Sequence, residues 1–380
     1  MRETLDDAAA FLSPMPTATF FSEWFEKRPL LVRRQDATWA SRWLTLDCFL
    51  ELLSTTDAAL LKLRTVKDNV MQSDVTLQQA FDAYHDGATV IANHVHLLHP
   101  PLARLCRALE ASFHENFQVN AYLQPAGGRG FGAHFDSHDE FNVQLSGRKR
   151  WRVYAPLVEL PLAGGQRNVA PVELAEPLFE DITESGDLLY IPRGFVHEAE
   201  ATDEGPSLHM TVGMIGVTWR DLLLAAVEDV ARKNVSLRRL VPLGSNLPAA
   251  RAVEDDIETA LAAVCAEVRE AALRDAEARF VLSRRAVLPD LGVNGAVGGD
   301  TPLERNPMVI AMLERQTDHV ALLFQGKRLE FPLEAATVLE HVLERHGWRT
   351  AKDLPGPLDE PNRERLLRYL YQQGLLRRML

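Results

Sequence analysis

The side chains best suited to chemistry lie in two short segments of this 380-residue chain, GAHFDSHDEFNVQLSGRKRWRVY and GDLLYIPRGFVHEA. In the first, His134 and Asp136 are two apart, so on an extended strand their side chains leave the same face and can meet one ion. In the second, Pro192 and Gly194 force a bend that can deliver His197 from a neighbouring strand. Two imidazoles and one carboxylate on one side of a metal form the facial triad of non-haem Fe(II) oxygenases. Three protein ligands leave three places free. Two can chelate an oxo-acid and the third can take O2. H-x-D alone arises often by chance, whereas H-x-D followed by G-D-x4-P-x-G-x-x-H is specific.

These ligands need strands to hold them. Phe117, Val119, Ala121 and Leu123 alternate with polar partners, the period of a strand. Further strands are expected at Glu140–Leu145, Lys149–Tyr154, Asp187–Pro192 and Ser207–Met214. Short strands separated by turns, without regular helices between them, predict an antiparallel barrel or sandwich. The run Gly127-Gly128-Arg129-Gly130 lacks the Lys-Ser/Thr ending of a phosphate loop and reads as a turn or lid. Before this region, short helices are expected around Phe20–Lys27, Leu77–Tyr84 and, after the break at Pro100-Pro101, Leu102–Phe113.

After Val217 the pattern turns helical. Trp219, Leu222, Leu223, Ala226 and Val230 form one apolar stripe, and Ile257, Leu261, Val264 and Val268 a second. Each needs a partner, the barrel or another subunit. A Gly- and Pro-rich stretch at 286–307 marks a boundary. Beyond it come strand-like LLFQGKRLEF, a helix at Leu333–Arg345 and a last helix from about Asn362, the size and order of a winged-helix unit. Its charges nearly balance, unlike those of a basic DNA reader.

The net charge of −12 disfavours direct nucleic-acid binding. An acidic surface suits a basic protein partner and equally serves solubility. Cys48, Cys106 and Cys265 are too scattered for a disulfide framework or zinc ribbon and suggest a reducing compartment. The acidic start, MRETLDDAAAFL, does not read as a signal peptide, and no apolar run reaches the ~20 residues that cross a bilayer. A cytoplasmic location without membrane contact is expected.

On these motifs and their order the chain resembles the JmjC-type, cupin-fold 2-oxoglutarate oxygenases, and among them the ribosomal oxygenases. The resemblance implies an α+β chain in three parts. Residues 1–215 would hold a double-stranded β-helix (jelly-roll/cupin) core with a mixed N-terminal extension, 216–300 a helical dimerisation segment, and 301–380 a winged-helix-like domain. It implies Fe(II) on His134, Asp136 and His197, with 2-oxoglutarate as cosubstrate and O2 as oxidant. Lys149, in GRKRW, matches the basic residue that holds the far carboxylate of 2-oxoglutarate, and an ammonium there can pair with a buried carboxylate. Asn120 and Thr211 match positions of the same cosubstrate pocket, Thr211 more loosely.

Blander readings stand beside these. Arg148-Lys149-Arg150 also fits a solvated strand edge, and Asn120 could bond backbone. His138 continues the alternation as H-x-D-x-H and is a rival for the metal, a neighbour facing the substrate, or a surface residue. His209 lines the pocket or merely packs. His94 and His96 read as structural, and Trp151 and Tyr154 as barrel filling.

The implied reaction hydroxylates a side chain of a protein, with a basic ribosomal protein as the favoured partner, and releases succinate and CO2. A peptide natural-product precursor or an N-methyl-lysine would suit the same iron. A cupin isomerase or a dioxygenase without cosubstrate would keep the metal and not need Lys149, and a non-catalytic cupin binding module would need neither.

Overall fold

Alternation of period two becomes a two-sided sheet only if both faces find something to pack against, and here they find different things. The structure, a computed structural model, describes residues 8–238 and 297–378 except 35, 37, 166, 307 and 345–349, with a few helical positions between 258 and 265. It divides into two compact units, residues 1–216 and 217–380.

The first unit is built on two antiparallel sheets. Its strands are β1 (Leu30–Val32), β2 (Arg64–Lys67), β3 (Val70–Ser73), β4 (Thr89–Ala92), β5 (Asn116–Gln124), β6 (His134–Phe135), β7 (Asp139–Ser146), β8 (Lys149–Pro156), β9 (Arg167–Asn168), β10 (Phe179–Thr183), β11 (Leu188–Ile191), β12 (Phe195–Ala201) and β13 (Ser207–Ile215). The larger sheet runs β1-β11-β7-β13-β5-β4-β2-β3 and the smaller β10-β8-β12-β6-β9.

On the outer face of the larger sheet, Phe117, Val119 and Ala121 of β5, Phe141 and Val143 of β7, and Met210 and Val212 of β13 join one hydrophobic core. Helices cover it. Pro100–Phe113 starts with proline in its first turn and buries Leu102, Leu105, Cys106 and Leu109, the spacing of one helical face. Leu77–His85 begins at a capping box between Thr76 and Gln79, which satisfies two exposed amides at its start. The expected Phe20–Lys27 helix is instead a single α turn at Thr17–Thr19 running into a wider π turn at Phe20–Trp24. Five aromatic rings crowd Phe20 there, Tyr190 at 4.9 Å among them, so packing overrides regular helix geometry.

The inner face of the same sheet is polar. Paired residues in adjacent strands share a face, so Asn120, Thr211 and Asn142 form one row, Tyr122, His209 and Gln144 the next, and Gln118, Gly213 and Glu140 a third. These rows look into the space between the sheets.

In the second unit, β14 (Leu303–Arg305) pairs with β18 (Leu376–Arg378), and β15 (Met312–Arg315), β16 (His319–Phe324) and β17 (Lys327–Pro332) form a three-stranded sheet. Gln325 and Gly326, both at positive φ, close the β16–β17 hairpin. Helices Ala336–Glu344 and Glu360–Gln372 pack on these strands through Leu339, Val342, Leu367 and Leu370. Helix Trp219–Lys233 divides the stripe read from its sequence. Ala226 and Val230 are buried, whereas Trp219, Leu223, Leu224 and Val227 are exposed. The second helical stripe, Ile257 to Val268, and the 286–307 boundary fall largely outside the described residues. Among the described residues no helix is long and apolar enough to cross a membrane. All three cysteines are free.

Candidate metal centre and its pocket

His134 and His197 face each other directly across the β6–β12 pair, their rings 4.4 Å apart. Asp136 is not on a continued strand with His134. β6 ends at Phe135 and the chain bends, and the Asp136 carbonyl then accepts the Gly194 amide at 3.0 Å. Gly194 has φ +88°, and a Cβ there would collide with the Val158 carbonyl. The P-x-G of the second segment is thus the clamp that sets Asp136 against His197. Asp187, next to Gly186 in the same segment, is buried and accepts the amides of Arg34 and Glu184 at 3.0 Å each.

The three side chains can each offer one atom to a common point, all within 4.8 Å of one another. His134 Nε2 and His197 Nε2 lie 3.7 and 3.8 Å from Asp136 Oδ2. Each imidazole faces a carbonyl with its other nitrogen, His134 Nδ1 to Gly132 at 2.8 Å and His197 Nδ1 to Phe195 at 3.2 Å. Those contacts fix the proton on Nδ1 and leave the Nε2 lone pairs aimed at the shared point. Burial, then the adjacent His134 ring, pushes the His197 imidazole down to about 3, so it is neutral. Burial would raise the Asp136 carboxyl, but the three imidazoles of His134, His138 and His197 hold it below its ordinary value. A neutral His197 and an ionised Asp136 are forms that bind a metal. These residues fit a first-row dication of the Fe(II) kind.

The triad opens into a cavity of about 800 Å³ that also takes in Lys149, Asn120, Thr211, His209 and Trp151. Lys149 is 4% exposed, so a solvated strand edge does not describe it. Its Nζ lies 3.2 Å from His209 Nδ1 and 5.3 Å from the centre of the Trp151 ring. Burial brings the ammonium down to about 7. Burial, then the charge of Lys149, holds His209 well below its ordinary value, and its ring stacks on Tyr122 at 4.7 Å. Asn120 lines the cavity, and its carbonyl oxygen accepts the His94 amide at 3.0 Å. Thr211 donates to Asn142 Oδ1 at 2.7 Å.

The histidines left open by sequence separate clearly. His138 sits at the cavity edge with its ring over Gly213, where a Cβ would displace it. His96 is structural, its Nδ1 accepting the Val119 amide at 3.1 Å. His94 is not its twin. Its backbone is left-handed (φ 54°), and the residue lines the cavity. Tyr154 points away from the cavity and donates to Glu198 at 2.7 Å.

Sequence reading missed Glu140 and Asn142. Both are buried and line the cavity, and Glu140 Oε1 lies 3.2 Å from His197 Nε2. Burial, then the charge of Asp136, raises the Glu140 carboxyl well above its ordinary value. The signal was the alternation itself, since Asp136, His138, Glu140 and Asn142 recur at every second position.

Residues 93–222 match the family described as "JmjC domain". The chain thus carries a JmjC domain in that stretch. Its relatives include ribosomal oxygenase 2 of Rattus norvegicus, 33% identical over 254 residues that cover 61% of this chain and 53% of the relative. Ribosomal oxygenase 1 of Homo sapiens is 32% identical over 61% of this chain and 38% of its own length. A bifunctional lysine-specific demethylase and histidyl-hydroxylase of Drosophila mojavensis is 30% identical over 61% of this chain and 28% of its own. The JmjC-domain protein therefore spans about half the length of these relatives or less. Among solved structures it is similar to the Escherichia coli ribosomal oxygenase YcfD, solved with cobalt and 2-oxoglutarate. One YcfD structure superposes with a TM-score of 0.64 at 19% identity, covering 96% of this chain and 98% of that one, a likeness of fold.

Proposed function

We propose that this JmjC-domain protein is an Fe(II)- and 2-oxoglutarate-dependent oxygenase that hydroxylates an amino-acid side chain of a protein, first of all a ribosomal protein. One observation carries the reading: a buried amine, Lys149, lines the same cavity as two imidazoles and a carboxylate whose ligand atoms converge. When bound, iron supplies the coupling of O2 reduction to oxidative decarboxylation, so that R–H, O2 and 2-oxoglutarate give R–OH, succinate and CO2.

The chain's own residues do the rest. Lys149 holds the far carboxylate as an ammonium, and neutral His209 accepts a hydrogen bond from it through Nδ1 and orients it. The Asn120 amide and Thr211 hydroxyl border the same space. Tyr122 and Trp151 wall it with rings and exclude water. The relatives' names point to histidyl hydroxylation and lysine demethylation in those proteins, and the ribosomal-oxygenase likeness favours hydroxylation here.

By the same likeness we propose that helix Trp219–Lys233 belongs to a homodimer interface and that the C-terminal unit is winged-helix-like. The exposed apolar side chains of that helix, and the three-stranded sheet with two helices, support these assignments.

The test is anaerobic reconstitution with Fe(II), then air and 2-oxoglutarate, with and without ribosomal proteins. Succinate above background in wild type but not in His134→Ala, with one oxygen added to one protein, is expected. No succinate under any condition would sink the reading.

A further inference from the structure

The tip of the β2–β3 hairpin reaches across to the chain that leads into the metal site. Lys67 pairs with Val70, so Asp68 and Asn69 form a two-residue turn, and both have positive φ, 49° and 68°. Aspartate and asparagine tolerate this backbone better than other residues with a side chain, so the turn alone accounts for their type. It does not account for what Asn69 touches. Its amide donates to the Gly130 carbonyl at 3.3 Å, and its Oδ1 accepts the Gly132 amide. Glycine at 132 makes room for this contact, since a Cβ there would lie 2.6 Å from Asn69 Nδ2. The Gly132 carbonyl in turn faces His134 Nδ1 at 2.8 Å. The next carbonyl, that of Ala133, accepts the Val169 amide at 2.8 Å. The peptide that orients His134 is therefore held on both sides, by Asn69 before it and by Val169 after it.

We propose that Asn69 is a positioning residue of the metal centre, aiming the His134 imidazole through Gly132. The proposal rests on the metal reading of His134, Asp136 and His197 and deepens it. Glycines at 127, 128, 130 and 132 give this stretch wide backbone freedom, which only contacts from outside can remove. Gly127 and Gly128 are tied to the end of β12, where the Gly127 amide donates to Thr202 and the Gly128 carbonyl accepts from Ala201. Asn69 does the same for Gly130 and Gly132. Met71 and Ser73, on the strand that follows Asn69, line the cavity, so this residue ties the cavity wall to one of the metal's ligands.

The experiment uses the full chain with Co(II), without turnover. Asn69→Gly keeps the left-handed turn and removes only the side chain, whereas Asn69→Asp keeps the Oδ1 acceptor. Thermal melts without metal check that both fold as wild type does. Asn69→Gly is expected to bind Co(II) about tenfold more weakly, with a shifted visible spectrum, because His134 Nε2 no longer meets the ion along the same line. Asn69→Asp is expected to restore both. A role confined to the turn predicts no loss, since glycine serves that turn as well as asparagine. Wild-type affinity and spectrum in Asn69→Gly would therefore overturn the proposal, and so would an Asn69→Asp variant as impaired as Asn69→Gly. His134→Ala tests the reading underneath. Its loss of Co(II) leaves the triad standing whatever Asn69 does, and its retention of Co(II) would overturn both.

Discussion

Lys149 Nζ and His209 Nδ1 lie 3.2 Å apart, buried side by side in the cavity wall. Burial brings Lys149 to about 7 and keeps His209 neutral, so near neutral pH the pair carries one proton or none. A carboxylate bound there needs the ammonium. Above about pH 7, then, 2-oxoglutarate binding draws in a proton, and its affinity falls by up to about tenfold per pH unit. Calorimetry at several pH values, in buffers of different ionisation enthalpy, measures both effects. Affinity that stays flat across this range would mean Lys149 is not the anchor. The same shift acts on folding with a definite sign. Between about 7 and the ordinary lysine value of 10.5 the unfolded chain binds a proton that the folded chain does not, so stability from this site rises with pH through that window.

Replacing Lys149 separates binding from stability. A charge-assisted hydrogen bond contributes roughly 1.5–3 kcal/mol, so Lys149→Met is expected to weaken 2-oxoglutarate about ten- to a hundredfold. Co(II) affinity should stay as in wild type. Without ligand, the melting temperature should hold or rise, because a buried amine with no carboxylate partner has been removed.

Metal should stabilise the fold markedly, since it binds across the converging ligand atoms of His134, Asp136 and His197. At a free concentration a hundred times Kd, a bound ion adds about 2.7 kcal/mol. Co(II) is expected to raise the melting temperature of wild type and a chelator to reverse it. His134→Ala and Asp136→Ala should show no such shift.

Gly194→Ala is expected to damage the centre without touching a ligand. At φ +88°, with the Val158 carbonyl where a Cβ would go, the bend must open. Strain of this kind costs roughly 1–3 kcal/mol, and the collision adds to it. Urea unfolding and Co(II) titration should show lower stability together with weaker metal binding. A variant that is destabilised yet binds Co(II) normally would disprove the clamp on Asp136.

Trp219, Leu223 and Val227 recur at every fourth position and are all exposed. If this face is a dimer interface, Leu223→Asp with Val227→Asp should shift the protein to monomer in sedimentation, with Co(II) affinity unchanged. A wild type that is already monomeric at micromolar concentration would remove the dimer proposal.

How much of this was legible in the sequence depended on which side of a strand spoke. The triad was readable because its spacing, with Pro192 and Gly194, permits few other structures. The strand at Phe117–Leu123 was readable from its apolar half. Its polar half, Gln118, Asn120, Tyr122 and Gln124, carried the pocket, yet polar alternation ordinarily means solvent. Only the second sheet, closing over that face, turns it into an interior. Glu140 and Asn142 were lost the same way, as plain strand positions. Lys149 was placed through family likeness, because its run of three basic residues says nothing about which one points inward. His94 and His96 looked equivalent, and a left-handed residue at His94 gave them different surroundings. The apolar stripe after Val217 was visible, but one-dimensional spacing could not tell its buried Ala226 and Val230 from its exposed Leu223.

β6 is two residues long and meets β12 at a single pair, His134 opposite His197. So short a ladder has few backbone hydrogen bonds to keep it shut, and it would be among the first parts of the sheet to open in a local fluctuation. An ion held by both of those histidines would bridge the two strands where the backbone bridges them least. Amide exchange in this strand should then report metal occupancy directly, slow when loaded and fast when stripped, while β5 and β13, joined over nine pairs, exchange alike in both states.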